Sequence, residues 1–245
     1  MAVITPYVRG DDTNIILGFF TIVAVLPLTL RFYNCYLAYL ALGPGGTPAT
    51  VPGFVKVSLL GLFAIQNPYK STSLHHTGGH LKHLPQRQGR RPQVKGIAPH
   101  RQVTQKAEKH IFERLSSNII RMASDSRDEL RVGTSCIEQH GIGLFTTMPG
   151  RYSRHRCRTE VCHAHPSDGS MHMTLHPADA KVVLEAGWGE KHPLSRGGYF
   201  ERFVPEGFVM VYSPRDEADV DIAIRIIEAA AWYVSGECYN NTQSG

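Results

Sequence analysis

The chain has 245 residues, 42% of them apolar and 19% charged, with a net charge of +5. This suits one domain with an extension or two small domains, and 23 Gly and 15 Pro are too few for a disordered or collagen-like polypeptide. Nine Lys and Arg against the single acid Glu108 lie between Lys70 and His110, which leaves the remainder slightly acidic and argues against a nucleic-acid partner.

Asn14–Leu30 runs seventeen residues without a charge. A spanning helix takes about 20 mostly apolar residues, so this run, with Pro27 near its end, predicts an N-terminal transmembrane helix. Residues 1–42 are accordingly expected to be a single-pass membrane anchor, with the endoplasmic reticulum as the expected location. The flank around Arg9, Asp11 and Asp12 lacks the positive start of a cleaved signal peptide. A second apolar run, Val51–Ile65, is interrupted by Pro52, Gly53, Lys56 and Gly61 and reads as an interfacial or packed helix. Residues 43–102 are expected to form a connector, its later part basic and rich in His, Gly and Pro. His75, His76, His80 and His83 are clustered there, but no periodicity brings them together. The cysteines at 35, 136, 157, 162 and 238 contain no CxxC pair, so free thiols are expected in preference to a bridge such as Cys157–Cys162.

Residues 103–245 have the patterning of a folded domain. Ala107, Ile111, Leu115, Ile119 and Met122 recur at helical spacing. Leu130–Ile137 with Ile142–Thr147, and Glu160–His165 with Ser170–Leu175, read as two strand pairs around turns. His176-Pro-Ala-Asp opens a helix that Gly187 closes, Phe208–Tyr212 is one more strand, and Ser213-Pro-Arg-Asp starts a last helix ended by Gly236. The predicted fold class is α+β: a small, mostly antiparallel sheet with flanking helices.

His163 and His165 share a strand face, since strand side chains alternate. A turn centred on Asp168-Gly169 sets His165 opposite His172, and one centred on Ser167-Asp168 sets His163 opposite it. Either register gathers three imidazoles on one face. Three such rings with Glu160 suit a metal site holding zinc or iron. They equally suit metal-free acid–base work, because an unperturbed imidazole titrates near 6.5.

His163-Ala-His165-Pro-Ser-Asp-Gly-Ser-Met-His172, Gly187-Trp-Gly-Glu-Lys-His192-Pro-Leu and Val211-Tyr-Ser-Pro-Arg215 together resemble the fungal luciferase family. Its bioluminescent members oxidise 3-hydroxyhispidin with molecular oxygen. Arg91-Pro92, Pro99-His-Arg-Gln and Tyr39–Phe63 extend the likeness. The resemblance implies a cofactor-free oxygenation in secondary metabolism, with a 3-hydroxy-2-pyrone or related phenolic as small-molecule substrate, O2 as co-substrate and loss of CO2. On that reading His163, His165, His172 and His192 are the catalytic cluster and no metal is bound. Glu160 orients a ring nitrogen, Trp188 stacks on the substrate, and Arg215 offers a positive contact. The competing expectations are a metal-dependent oxygenase or hydrolase built on the same histidines, and a membrane-anchored protein that binds a small molecule without turnover.

Overall fold

The computed structural model describes residues 10–70, 78–126, 128–148 and 157–236. His75, His76 and Cys238 lie outside them. The chain divides into two units, Met1–Ala41 and Leu42–Gly245.

The described part of the first unit contains one helix, α1 (Gly10–Leu40), with Pro27 inside it. The helix forms where the apolar run predicts one. Among the described residues no helix is long and apolar enough to cross a membrane.

The second unit begins with α2 (Val51–Gly61), where the Thr50 side chain accepts the Gly53 N–H and Pro52 sits in the first turn. A hairpin of β1 (Val94–Gly96) and β2 (His100–Gln102) follows, then α3 (Lys109–Asp125). The strands β3 (Leu130–Thr134), β4 (Ile142–Thr146), β5 (Glu160–Ala164) and β6 (Met171–Thr174) come next, in sequence order. After α4 (Pro177–Glu185), β7 (Gly189–Lys191) and a short 3-10 helix (Gly198–Arg202), β8 (Phe208–Val211) and α5 (Glu217–Val234) complete the chain. The six-stranded sheet has the order β3-β4-β5-β6-β8-β7, antiparallel throughout. The α+β class and the antiparallel sheet therefore stand as predicted.

The alternation of strand side chains splits this sheet into two faces. Leu144, Cys162, Met171, Met173, Val209 and Val211 pack with Leu115 and Ile119 of α3 and Ile226 and Ile227 of α5 in one core. That burial supplies most of the fold's stability, at roughly 25 cal/mol per Å² of apolar surface. The other face carries a second, smaller apolar cluster of Leu194, Val204 and Phe208 with Leu60, Ile97, Ile137 and Phe203 against it. Residues 84–102, read from composition as part of a connector, run as a strap against the domain. Trp188 Nε1 donates to the Pro85 carbonyl at 2.7 Å, and Arg91 donates to the Gly189 and Leu184 carbonyls at 2.7 and 2.5 Å.

The cysteine expectation is corrected. Cys136 is bonded to Cys157, because the turn between β3 and β4 lies beside the start of β5; Cys162 is a buried free thiol and Cys35 an exposed one.

Candidate active site

Register decides what the second face of the sheet presents. Gly143, His163, His172, Met210 and Glu190 are paired in one row across β4, β5, β6, β8 and β7. The observed register, His163 opposite His172, is the one that centres the turn on Ser167-Asp168. Asp168 Oδ1 accepts the Ser170 N–H at 2.8 Å, and Gly169 adopts φ +80°, where a Cβ would strike Ala107 and Ser213. Asp168 thus belongs to the turn.

Glu160 and His163 are three apart and would face opposite ways on a regular strand. A β-bulge leaves Val161 unpaired: Cys162 lies opposite Leu144, but Glu160 lies opposite Phe145. The extra residue turns the carboxylate onto the imidazole face, where Glu160 Oε1 meets His163 Nδ1 at 2.6 Å. The same carboxylate accepts the Ser135 hydroxyl at 2.8 Å, the Cys136 N–H at 2.7 Å and the Ile137 N–H at 3.2 Å. Burial pushes Glu160 upward, but hydrogen bonds from His163, Ser135 and Cys136 outweigh it and hold the group below the usual carboxylate range.

Four further imidazoles surround His163. His172 Nδ1 lies 3.3 Å from His163 Nε2 and 3.1 Å from His165 Nε2, and its Nε2 lies 3.0 Å from His100 Nδ1. His165 Nδ1 meets Ser170 Oγ at 2.9 Å. His192 Nε2 donates to the Ile97 carbonyl at 2.9 Å and its Nδ1 accepts the Leu194 N–H at 3.2 Å. All five rings are at most 4% exposed. Burial, joined by the neighbouring imidazoles and Arg101, drives His165 well below its ordinary value, and burial with the neighbouring rings does the same to His172. Burial and His100 lower His192 likewise, against the Ile97 carbonyl. These three rings are therefore neutral at pH 7.

Three buried carboxylates frame the cluster. Glu190 Oε1 stands 3.7 Å from His100 Nε2, and Glu138 Oε2 stands 3.9 Å from His163 Nε2. Arg101 pairs with Glu138, and burial brings its guanidinium down to about 10. Asp168 Oδ1 lies 3.8 Å from His165 Nδ1. A cavity of about 320 Å³ opens beside the cluster, its wall including His100, His172, His192, Glu138, Ile137 and Phe208. That is the size of a site for a small organic molecule. Phe208 stacks on His172 with centroids 5.1 Å apart, and Lys56 and Arg202 also line the cavity.

The structure thus brings His163, His165, His172, His192 and Glu160 together. It does not bring Trp188 or Arg215 to them. Trp188, just before β7, is packed in the main core, where its Nε1 donates to the Pro85 carbonyl. Arg215 is engaged at the start of α5, where its Nε donates to Asp219 at 2.6 Å and its Nη1 to the Gln88 carbonyl at 2.7 Å. His100, Arg101, Glu138 and Glu190 were not singled out from sequence as site residues. For His100 and Arg101 a signal existed, the Pro99-His-Arg-Gln segment; Glu138 sits in a turn with no motif.

Comparison with known proteins places this cluster in context. A sequence profile of the luciferase domain family matches residues 158–230. The chain is 27% identical over 219 residues to a luciferase of Neonothopanus nambi, covering 82% of this chain and 80% of that protein. Luciferases of Armillaria mellea and Armillaria gallica are each 27% identical over the same length, covering 81% of those proteins. No solved structure matches the chain.

Proposed function

Because the chain belongs to the fungal luciferase family, we propose that it is an oxygenase that joins O2 to an acidic enol of the 3-hydroxy-2-pyrone class, with loss of CO2. The observation that carries this reading is the buried set of neutral imidazoles on the wall of a small cavity, inside the segment that matches the luciferase domain. A neutral imidazole is a base near neutrality, and an enol proton is acidic enough for it to take. On this reading the O–H bond of the enol breaks, the proton enters the His172–His100 pair, and Glu190 at 3.7 Å balances its charge. The enolate carbon then bonds to O2, which accepts its electron pair and becomes a peroxide anion. Attack of that anion on the lactone carbonyl closes a cyclic peroxide. Its O–O bond and the adjacent ring C–C bond break, the oxygenated carbon becomes a carboxylic acid, and the former lactone carbon leaves as CO2 while the ring oxygen departs as an enolate. Lys56 and Arg202 favour entry of an anionic or acidic ligand.

The test is O2 consumption and CO2 release by the full chain given a 3-hydroxy-2-pyrone. Uptake in equal amounts is expected, and His172→Ala is expected to lower it about 100-fold or more. Saturable binding of the pyrone with no O2 uptake moves the reading to a binding protein.

A further inference from the structure

We propose that the inward-facing nitrogens of His163, His165 and His172 bind a divalent first-row transition ion, with a fourth position open toward the cavity beside Glu138. Geometry carries the argument. Glu160 accepts three other N–H and O–H groups as a carboxylate, so the hydrogen in its 2.6 Å contact belongs to His163 Nδ1, and His163 Nε2 is the nitrogen turned inward. His165 Nδ1 meets the Ser170 hydroxyl at 2.9 Å, so its Nε2 is the nitrogen turned inward as well. His100 Nε2 stands 3.7 Å from the Glu190 carboxylate; in the tautomer that keeps its proton on that side, His100 Nδ1 accepts from His172 Nε2 and His172 Nδ1 is the third free nitrogen. In that tautomer three lone pairs meet, His172 Nδ1 lying 3.3 and 3.1 Å from the other two and all within 4.8 Å. Such a focus is repulsive unless a cation fills it.

The spacing is that of ligands. Bonds of roughly 2.0–2.1 Å around a tetrahedral ion set ligand nitrogens about 3.3 Å apart. Each outer nitrogen is oriented by a carboxylate, a hydroxyl or a ring, the arrangement that fixes metal-bound imidazoles. A second trio, His100, His172 and His192, is close enough by distance but fails chemically. His192 uses one nitrogen on the Ile97 carbonyl and the other on the Leu194 N–H. A third grouping, Cys136 and Cys157 with Glu160, is closed by the disulfide. Three neutral protein ligands leave the ion its full charge, which suits an oxygen anion arriving from the cavity. The inference goes beyond the oxygenase reading and does not depend on it.

The experiment is elemental analysis of the full chain after equilibration with Zn(II) or Co(II) and desalting. About one tightly held ion per chain is expected, with the visible bands of tetrahedral cobalt in the Co(II) form. His165→Ala and His172→Ala should lose the ion, whereas His192→Ala should keep it. Ser170→Ala, a mild change, should keep the fold and weaken affinity about 10–100-fold. Absence of uptake by the unaltered chain, or equal uptake in His165→Ala and Ser170→Ala, overturns the site. O2 consumption on the same samples separates the two ideas. Turnover that survives metal removal supports the oxygenase by itself, while the elemental analysis decides the ion; a bound ion without turnover supports the site and overturns the oxygenase.

Discussion

At the scale of single residues, His192 separates structure from chemistry. Both of its nitrogens are held by backbone groups in a loop, so its main work is to fix the chain around the cavity. Replacing it by Ala orphans the Leu194 N–H and the Ile97 carbonyl, at about 1–3 kcal/mol for buried polar groups left unpaired; urea unfolding measures this directly. Its folded pKa is depressed by burial, so the unfolded chain binds one more proton below the unfolded value near 6.5. Stability from this ring is therefore full above that pH. It is lost as pH falls through about 6.5 toward the folded value, at roughly 1.4 kcal/mol per pH unit. His192→Asn should remove one proton from that slope. Sequence placed His192 in the right cluster, but the backbone partners that define its role come from Ile97 and Leu194, and no motif announces them.

At the scale of elements, the bulge at Val161 decides whether Glu160 faces His163 or the helices. Deleting Val161 restores a regular strand and moves the carboxylate to the other face. We expect a folded sheet that has lost the Glu160–His163 contact, visible as a changed tautomer of His163 by imidazole nitrogen NMR. Much of the element order was legible: α3, β3 to β6, α4, β8 and α5 lie where spacing and caps predict them. The bulge was not, because a strand with one extra residue keeps the same apolar composition. β7 escaped as well, since Gly189–Lys191 is too short for alternation to register. The helix α1 was legible as a helix, while its reading as a membrane span was not supported.

At the scale of the whole molecule, the candidate site draws on more than the segment 158–230 that matches the luciferase domain. His100 and Arg101 arrive on the strap, and Glu138 and Ser135 on the β3–β4 turn. Composition hid this, since basic Gly- and Pro-rich chain reads as solvated connector until its partners Trp188, Gly189 and Leu184 are seen. A fragment starting at residue 103 is expected to keep α3 to α5 and the six-stranded sheet but lose pyrone binding at least 10-fold, because it removes one wall of the cavity; titration of both lengths checks this. The burial of the five rings has a further consequence. His80, His83, His110 and His140 are exposed, while His100, His163, His165, His172 and His192 are sealed. An acylating reagent such as diethyl pyrocarbonate should therefore find two populations of imidazole in the native chain, one modified at once and one only as the fold opens. The slow phase is a clock for opening of the cavity, and a molecule seated there should stop it.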